Sequence, residues 1–362
     1  MVAVAPGSTI GANSPVLITW IVDAFGRLCA PDSLAWTIYD VSTDEKDMSP
    51  VQVATDTVDL EADRVSEGCY AVAWTVPSGT GRRRITWSAT VTGIDQEGNE
   101  ATKTHTWSRD FDVLTGASHQ PGYCLVSDMR AEGVAEARVS DAWLVKRIWD
   151  ASNYIDRVTG RWFGPRACEW KIDGNWKPEL RIEAPIIGIE TMRVFGDGVV
   201  GDDLFKVYNR HLSGLLAPDD RNAPKVEFFV SVAGLQGPIQ PLAYPYPISS
   251  AWMQARVWPK GTQNVTVSGV FGYTDPDGSP EGCTPSEIVR VCKLLVMRNL
   301  PKMGRAQDRL EALNAHRVTS ERTREQSYTM AAERMGTGAF TSDLEIDSVL
   351  EMYMRPLQIA VV

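Results

Sequence analysis

Between positions 140 and 166 the chain reads SDAWLVKRIWDASNYIDRVTGRWFGPR. Apolar groups recur at Leu144, Ile148, Ala151, Ile155, Val158 and Trp162, at intervals of four, three, four, three and four. That spacing keeps one stripe on one face of an α-helix. Trp143, Trp149 and Tyr154 widen the apolar surface. The Ser140 hydroxyl can accept from an orphan N–H of the first turn, Gly160 weakens the end and Pro165 stops it. Such a helix must bury its stripe against something, and alone it reads as a core helix of an ordinary domain.

The remaining sequence narrows that reading. A chain of 362 residues is long for one domain and suits two or three. Its formal net charge is −10. Residues 1–116 hold 8 basic and 16 acidic side chains, so most of the excess lies there. A surface of that sign does not neutralise phosphates, which disfavours high-affinity nucleic-acid binding over a broad face. It suits a surface past which DNA slides without sticking.

Residues 1–116 contain short runs rich in β-branched and aromatic residues, at 16–20, 34–39, 52–53, 57–60, 69–76, 84–92 and 103–113. Turn-forming clusters at 30–33, 77–81 and 95–99 separate them. The pattern predicts a β-sandwich and resembles an immunoglobulin-like domain in layout. Trp36 lies between Cys29 and Cys69, but the spacing departs from the antibody arrangement, and the pairing of these cysteines stays open. Arg82, Arg83 and Arg84 form the basic cluster of this region, read as a solvated hairpin tip with anion binding as the sharper alternative.

Residues 117–122 are small, polar and breaker-rich, and read as an interdomain linker. Ser127 can cap a short helix before the long one. From Ala167 the period changes to that of strands, at 169–172, 187–194, 204–208, 225–232 and 264–271, with turns at Asp173-Gly174 and Asp197-Gly198. Residues 234–261 carry Pro238, Pro241, Pro245, Pro247 and Pro259, too much proline for a central strand, and read as an extended loop. Helices return at 284–300, where Thr284, Pro285 and Glu287 match N-cap, N1 and N3 of a capping box, and at 305–315. A last helix begins at a Ser342…Glu345 box and ends at Pro356. The expected fold class is therefore α+β multidomain. A β-sandwich (1–116) precedes a small helical bundle (123–166 and 276–362) that carries a β-rich insertion (167–275).

Five segments occur in a telling order. They are Leu125-Val-Ser-Asp-Met-Arg130, the long helix ending in Thr159-Gly-Arg-Trp-Phe163, and the β region closed by Trp258 to Tyr273. The helical stretch 284–300 and the pair 318–321 and 343–353 follow. In this order residues 123–362 resemble the bacteriophage head–tail connector (adaptor, neck) proteins, with the N-terminal sandwich as an addition. The resemblance implies a dodecameric ring docked under the portal protein, a downstream neck or tail protein at its other end, and genomic DNA passing through without sequence-specific binding. It implies a place in the virion neck, assembled in the host cytoplasm. It maps portal contact to 343–362, with Tyr353, Leu357, Ile359, Val361 and Val362 as candidate residues. Trp143, Trp149 and Tyr154, off the stripe, become candidates for packing against a neighbouring subunit.

Chemistry-bearing motifs are absent from the reading. The four histidines, His105, His119, His211 and His316, sit at no metal-ligand interval, and none of the six cysteines forms a CxxC pair. There is no GxSxG elbow, HExxH or Walker A loop. Asp275-Pro-Asp-Gly278 has a partial likeness to a calcium loop, but Pro276 and a missing Glu favour a turn. The Asn264-Val-Thr266 sequon is not expected to be used, because the first residues show no basic region before an apolar core as a secretory signal would. No apolar run approaches a membrane span, so no membrane partner is expected. The reading is a non-enzyme without metal or cofactor. Its rivals are a sandwich that binds a glycan or host surface, with Trp87 or Trp107 exposed for the purpose, and a tail completion or terminator ring.

Overall fold

The computed structural model describes residues 2–13, 16–23, 26–41, 50–94, 100–115, 121–137, 139–196, 198–201, 204–208, 221, 223–228, 257–300, 320–322, 327–329, 340–341 and 343–355. The expected proline-rich loop except its last residues (257–261), the helix at 305–315 and the tail residues Leu357, Ile359, Val361 and Val362 lie outside the described residues.

Ten strands come first: β1 (Ala3–Val4), β2 (Thr9–Ile10), β3 (Ile18–Trp20), β4 (Ser33–Asp40), β5 (Val51–Thr57), β6 (Arg64–Ser66), β7 (Cys69–Ala71), β8 (Trp74–Thr75), β9 (Gly81–Ile94) and β10 (Glu100–Val113). They form a five-stranded sheet in the order β1-β10-β9-β4-β5, a three-stranded sheet β3-β7-β6 and the pair β2-β8. Alternation sets the faces. Leu34, Trp36 and Ile38 of β4 and Ile85, Trp87 and Ala89 of β9 point inward and are buried, while their neighbours are not. The arginine triplet is not a hairpin tip. It opens β9, and each arginine is paired, Arg82 and Arg84 with Asp110 and Arg83 with Asp40.

Four helices follow among the described residues: α1 (Val126–Ala131), α2 (Asp141–Thr159), α3 (Ser286–Arg298) and α4 (Leu344–Tyr353). Leu144, Ile148, Ala151 and Ile155 of α2 share one core with Ile288, Val291, Cys292 and Leu295 of α3 and Ile346 and Leu350 of α4. Burying each Leu or Ile there contributes roughly 1.5–3 kcal/mol. The stripe stops short of Trp162, because Gly160 turns left-handed at φ 67° and ends the helix. Trp162 instead stacks on Trp170 at 6.1 Å.

The caps differ from the expected ones. Neither Ser140 nor the Thr284–Pro285 pair closes its helix by a side-chain hydrogen bond. At α4 the cap is Asp343, one residue after Ser342, accepting from the Glu345 and Ile346 amides at 2.9 and 3.4 Å. Ser127 does not cap α1. Asp128 accepts from the Leu125 amide at 3.0 Å instead.

Between α2 and α3 lie β11 (Arg166–Gly174), β12 (Glu179–Arg181), β13 (Ile186–Val194), β14 (Gly198–Val199), β15 (Phe205–Tyr208), β16 (Lys225–Phe228) and β17 (Gly261–Phe271). They build a four-stranded sheet, β11-β17-β13-β14, and a three-stranded one, β12-β16-β15. A short hairpin, β18 (Ser320–Arg322) with β19 (Ser327–Thr329), completes the strands described.

The fold class expected from sequence is overturned by this inventory. The described residues are mostly β, spread over several small sheets, with few helices, and the architecture is not a helical bundle with a β insertion. The physical reason lies in β13 and β17. Their side chains make a core of their own with Trp258, Val265, Val267 and Phe271. The same two strands lend Ile187 and Val270 to a cluster with Trp20, Leu28 and Cys69 of the N-terminal strands. This sheet therefore has a core of its own and shares a second with the N-terminal region.

Candidate functional site

The N-terminal strands and the rest of the chain meet along a polar seam. Residues 275–283 leave β17 and fold back, with Asp275 and Cys283 exchanging backbone hydrogen bonds of 2.8 Å each way. This loop delivers Glu281 to a fully buried position. Its carboxylate pairs with the Arg109 guanidinium and accepts from the Trp20 amide at 2.9 Å and the Thr19 hydroxyl at 3.3 Å. Arg109 also donates to the Gly282 carbonyl at 2.8 Å. Burial pushes the Glu281 carboxyl above its ordinary range, against the pull of Arg109 and the two hydrogen bonds.

A second set of contacts lies beside α1. Arg82 bridges Asp110 at 2.7 Å and Asp128 at 2.9 Å, and the Ser127 amide donates to Asp112 at 3.0 Å. Burial alone would raise the Asp110 carboxyl, but Arg84 and Arg82 outweigh it and hold it below the usual range. Burial raises Asp112, beyond what the Ser127 amide recovers. A third contact is backbone only. The Leu28 amide donates to the Ile189 carbonyl at 2.8 Å and the Ile189 amide to the Gly26 carbonyl at 2.9 Å.

Beside the seam lies a cleft of about 840 Å³, walled by Arg84, Arg109, Tyr123, Trp149, Arg166 and Asp277 among others. Its arginines are already partnered, Arg84 by Asp110, Arg109 by Glu281 and Arg166 by Asp156 at 2.5 Å, so the cleft carries no surplus positive charge for an anion. Cys283 on its wall is pushed up to about 11 by burial, helped by Asp277 and Asp275, and so stays a thiol rather than a nucleophilic thiolate. All six cysteines are free, Cys29 and Cys69 included. Among the described residues no group of His, Cys, Asp and Glu could hold a metal ion, and no helix is long and apolar enough to cross a membrane.

The candidate residues named from sequence do not converge. Tyr353 is partly buried, edge-on to Phe163 at 5.4 Å and Tyr273 at 5.6 Å, with its hydroxyl donating to Glu287 at 3.2 Å. It anchors α4. Arg355, the last described residue, donates its amide to the Thr159 carbonyl at 2.9 Å, beside the end of α2. Trp143 packs on the helical core under the Arg147 guanidinium, 5.2 Å away, and the Tyr154 hydroxyl donates to the Phe340 carbonyl at 3.0 Å. Trp149 alone of the three keeps an exposed ring, 38 % accessible, on the wall of the cleft.

Trp87 and Trp107 are buried, at 1 % and 4 %, so neither offers a face to a glycan. Asp277 of the partial calcium motif is satisfied locally, accepting from the Ser279 amide at 2.9 Å and hydroxyl at 2.5 Å. The expected linker ends in a packed position: a Cβ on Gly122 would lie 2.4 Å from the Ile148 side chain. Sequence reasoning missed Glu281 altogether. Its partners are more than 160 positions away, and no local pattern marks them.

Compared with protein-family models and with curated protein sequences, the chain matches none.

Proposed function

We propose that the protein is a structural component of a bacteriophage neck: a head–tail adaptor that forms a ring on the portal protein, joins the capsid to the tail and lets genomic DNA pass. The observation that carries this reading is the ordered series of segments along residues 123–362, which resembles the connector family. The reading does not require a helical bundle. It requires a rigid body with separate surfaces for neighbours and a free end for the portal.

Four features support it. The seam joins the N-terminal strands to the rest through a buried ion pair, hydrogen bonds and an apolar cluster, which suits a part that transmits load between neighbours. Trp149 stands exposed beside a cleft without surplus charge, as a subunit contact would. The tail after Arg355 is Pro356-Leu-Gln-Ile-Ala-Val-Val362, uncharged in its side chains and apolar, as suits a segment that pairs with or fills a groove on the portal. The acidic balance lets DNA pass an inner wall without capture.

Electron microscopy and native mass spectrometry of the chain alone and mixed with portal protein test the reading. A closed ring is expected, and a monomer under both conditions overturns it. Deleting residues 357–362 is expected to weaken portal docking; unchanged docking removes the tail from the interface. Trp149→Glu is expected to impair ring closure.

A further inference from the structure

At the end of the four-stranded sheet where β11 and β13 finish and β17 begins, the backbone is held in an unusual state. Three non-glycine residues with left-handed φ occur among the described residues: Trp176 at 57°, Phe195 at 55° and Gln263 at 49°. All three lie at this end. The left-handed region costs an ordinary side chain of order 1 kcal/mol or more, and Gly or Asn is its usual occupant. Phe195 and Gly196 have consecutive positive φ between β13 and β14, a conformation whose usual occupants are Gly and Asn.

The surroundings enforce this geometry. The Asn264 side chain accepts from the Gly174 amide at 2.8 Å and donates to the Pro259 carbonyl at 2.7 Å, while the Asn264 backbone carbonyl accepts from the Phe195 amide at 2.8 Å. The Trp176 amide donates to the Trp258 carbonyl at 2.8 Å, and the Gln263 amide to Asp173 at 2.6 Å. A Cβ on Gly174 would sit 1.8 Å from the Pro259 carbonyl oxygen. The result of this bracing is two large rings turned outward. Trp176 is 55 % exposed and Phe195 57 %; Val199, opposite Arg193 in the hairpin that Phe195 turns, is 46 % exposed, and Asp173 and Lys177, near Trp176 in sequence, are exposed too. Fixed aromatics inside a polar rim are the anatomy of an interface hot spot, already ordered before the partner arrives. Strain maintained by many contacts, with exposed aromatics as its outcome, points to use.

The occupant is suggested by chain outside the described residues. From Phe229 to Ala255 there is no Asp, Glu, Lys, Arg or His. Ordinary usage would place about seven charged residues in a stretch of that length. It carries Leu235, Ile239, Leu242, Tyr244, Tyr246, Ile248 and Trp252 instead. Its flanking residues are rooted at the same sheet end: the Phe228 amide donates to the Pro178 carbonyl at 3.1 Å, the Trp258 amide to the Lys177 carbonyl at 2.9 Å, and the two rings pack at 4.2 Å. A chain of net charge −10 repels its own copies wherever that charge is displayed. An apolar sheet end and a charge-free segment are two different surfaces on which copies meet without that repulsion, as a head-to-tail ring requires.

We propose that Trp176, Phe195 and Val199 receive the charge-free segment 229–255 of a neighbouring copy. This rests on the ring reading for its biological setting but concerns a different surface from the tail and Trp149. A photo-crosslinking residue replaces Phe195 in the full chain, and equal amounts of ¹⁵N-labelled and unlabelled protein are mixed before assembly and irradiation. Cross-links from position 195 to peptides within 229–255 that join heavy to light chains are expected. Cross-links confined to one isotope show that the segment covers its own sheet end, and absence of links to 229–255 shows another occupant; both overturn the proposal. A ring without such cross-links sinks this inference alone. Heavy–light links in a chain that never closes a ring sink the adaptor reading alone. In parallel, the double variant Trp176→Asn and Phe195→Asn is expected to lower the assembled fraction at least tenfold with an unchanged or raised unfolding midpoint, because Asn tolerates the left-handed region. Unchanged assembly overturns the proposal. So does co-sedimentation of wild type, but not of this variant, with phosphatidylcholine vesicles, which would make a bilayer the occupant.

Discussion

The seam around Glu281 and the sheet end around Asn264 use the same device for opposite ends. Each gathers polar groups from separate segments around one residue. At the seam the gathered groups are closed inward: Glu281 is fully buried and takes Arg109, Trp20 and Thr19 with it. At the sheet end, Asn264 ties Gly174, Pro259 and Phe195 together and the rings are turned to solvent. Hydrogen bonds in the first case hold two parts of the fold together. In the second they hold a conformation that the residues would not choose. Stability is the expected readout of one and assembly of the other.

The hardest blow to the seam is Glu281→Ala. It takes from Arg109 its charged partner and from the Trp20 amide its acceptor, and breaking a buried pair from one side costs about 3–5 kcal/mol. Urea unfolding measures it, and a loss under 1 kcal/mol would show that the seam does not join the two parts. At the sheet end the matching blow is Gly174→Ala, whose new Cβ meets backbone at Pro259. The strand must shift, at about 1–3 kcal/mol. If assembly falls by more than that loss of folded protein explains, the sheet end acts beyond stability.

A milder change separates charge from contact at the seam. Glu281 has its folded pKa raised above the ordinary 4.5, so the folded state keeps its proton longer than the unfolded chain. Its contribution is present in full below pH 4.5 and is lost as pH rises through the folded value. Asp112 acts in the same direction, and Asp110, held low by its arginines, acts oppositely by losing its contribution as pH falls. The difference between wild type and Glu281→Gln isolates the one group. The variant is expected to lose less stability than wild type on going upward from pH 4.5, measured by unfolding midpoints at matched ionic strength. Equal slopes would mean that Glu281 titrates at its ordinary value.

How much of this contrast the sequence foretells differs between the two regions. The α2 stripe at Leu144, Ile148, Ala151 and Ile155 was legible because helical period is local. Its end was not: the expected stripe ran on to Trp162 with Pro165 as the stop, whereas the helix closes at Gly160. The strands at β4, β9, β11 and β13 were legible by composition. Their weight in the fold was not, because nothing local says that Ile187 and Val270 face Trp20 and Leu28. Caps slipped by a residue, from Ser342 to Asp343, since either side chain fits the pattern. Glu281 was invisible because its partners are far along the chain. The sheet end was misread for a different reason. Turn rules look for Gly, Asn and Asp, and they placed turns at Asp173-Gly174 and Asp197-Gly198, whereas the left-handed residues are Trp176 and Phe195. A site that violates propensity hides from propensity.

The smallest expected effect gives the finest cut. Gln263 shares the left-handed conformation with Trp176 and Phe195, yet its structural contribution is the amide donated to Asp173. Gln263→Asn keeps that amide and suits the backbone better, so it is expected to stabilise the fold by up to about 1 kcal/mol. Assembly should not change, because no apolar ring is lost. Phe195→Asn makes the same backbone gain and removes a ring that is more than half exposed. The pair therefore differs in presentation and hardly in strain. If both variants assemble like wild type, the strain at this sheet end is an accident of the turn. If only Phe195→Asn fails to assemble, the strain exists to hold the ring outward.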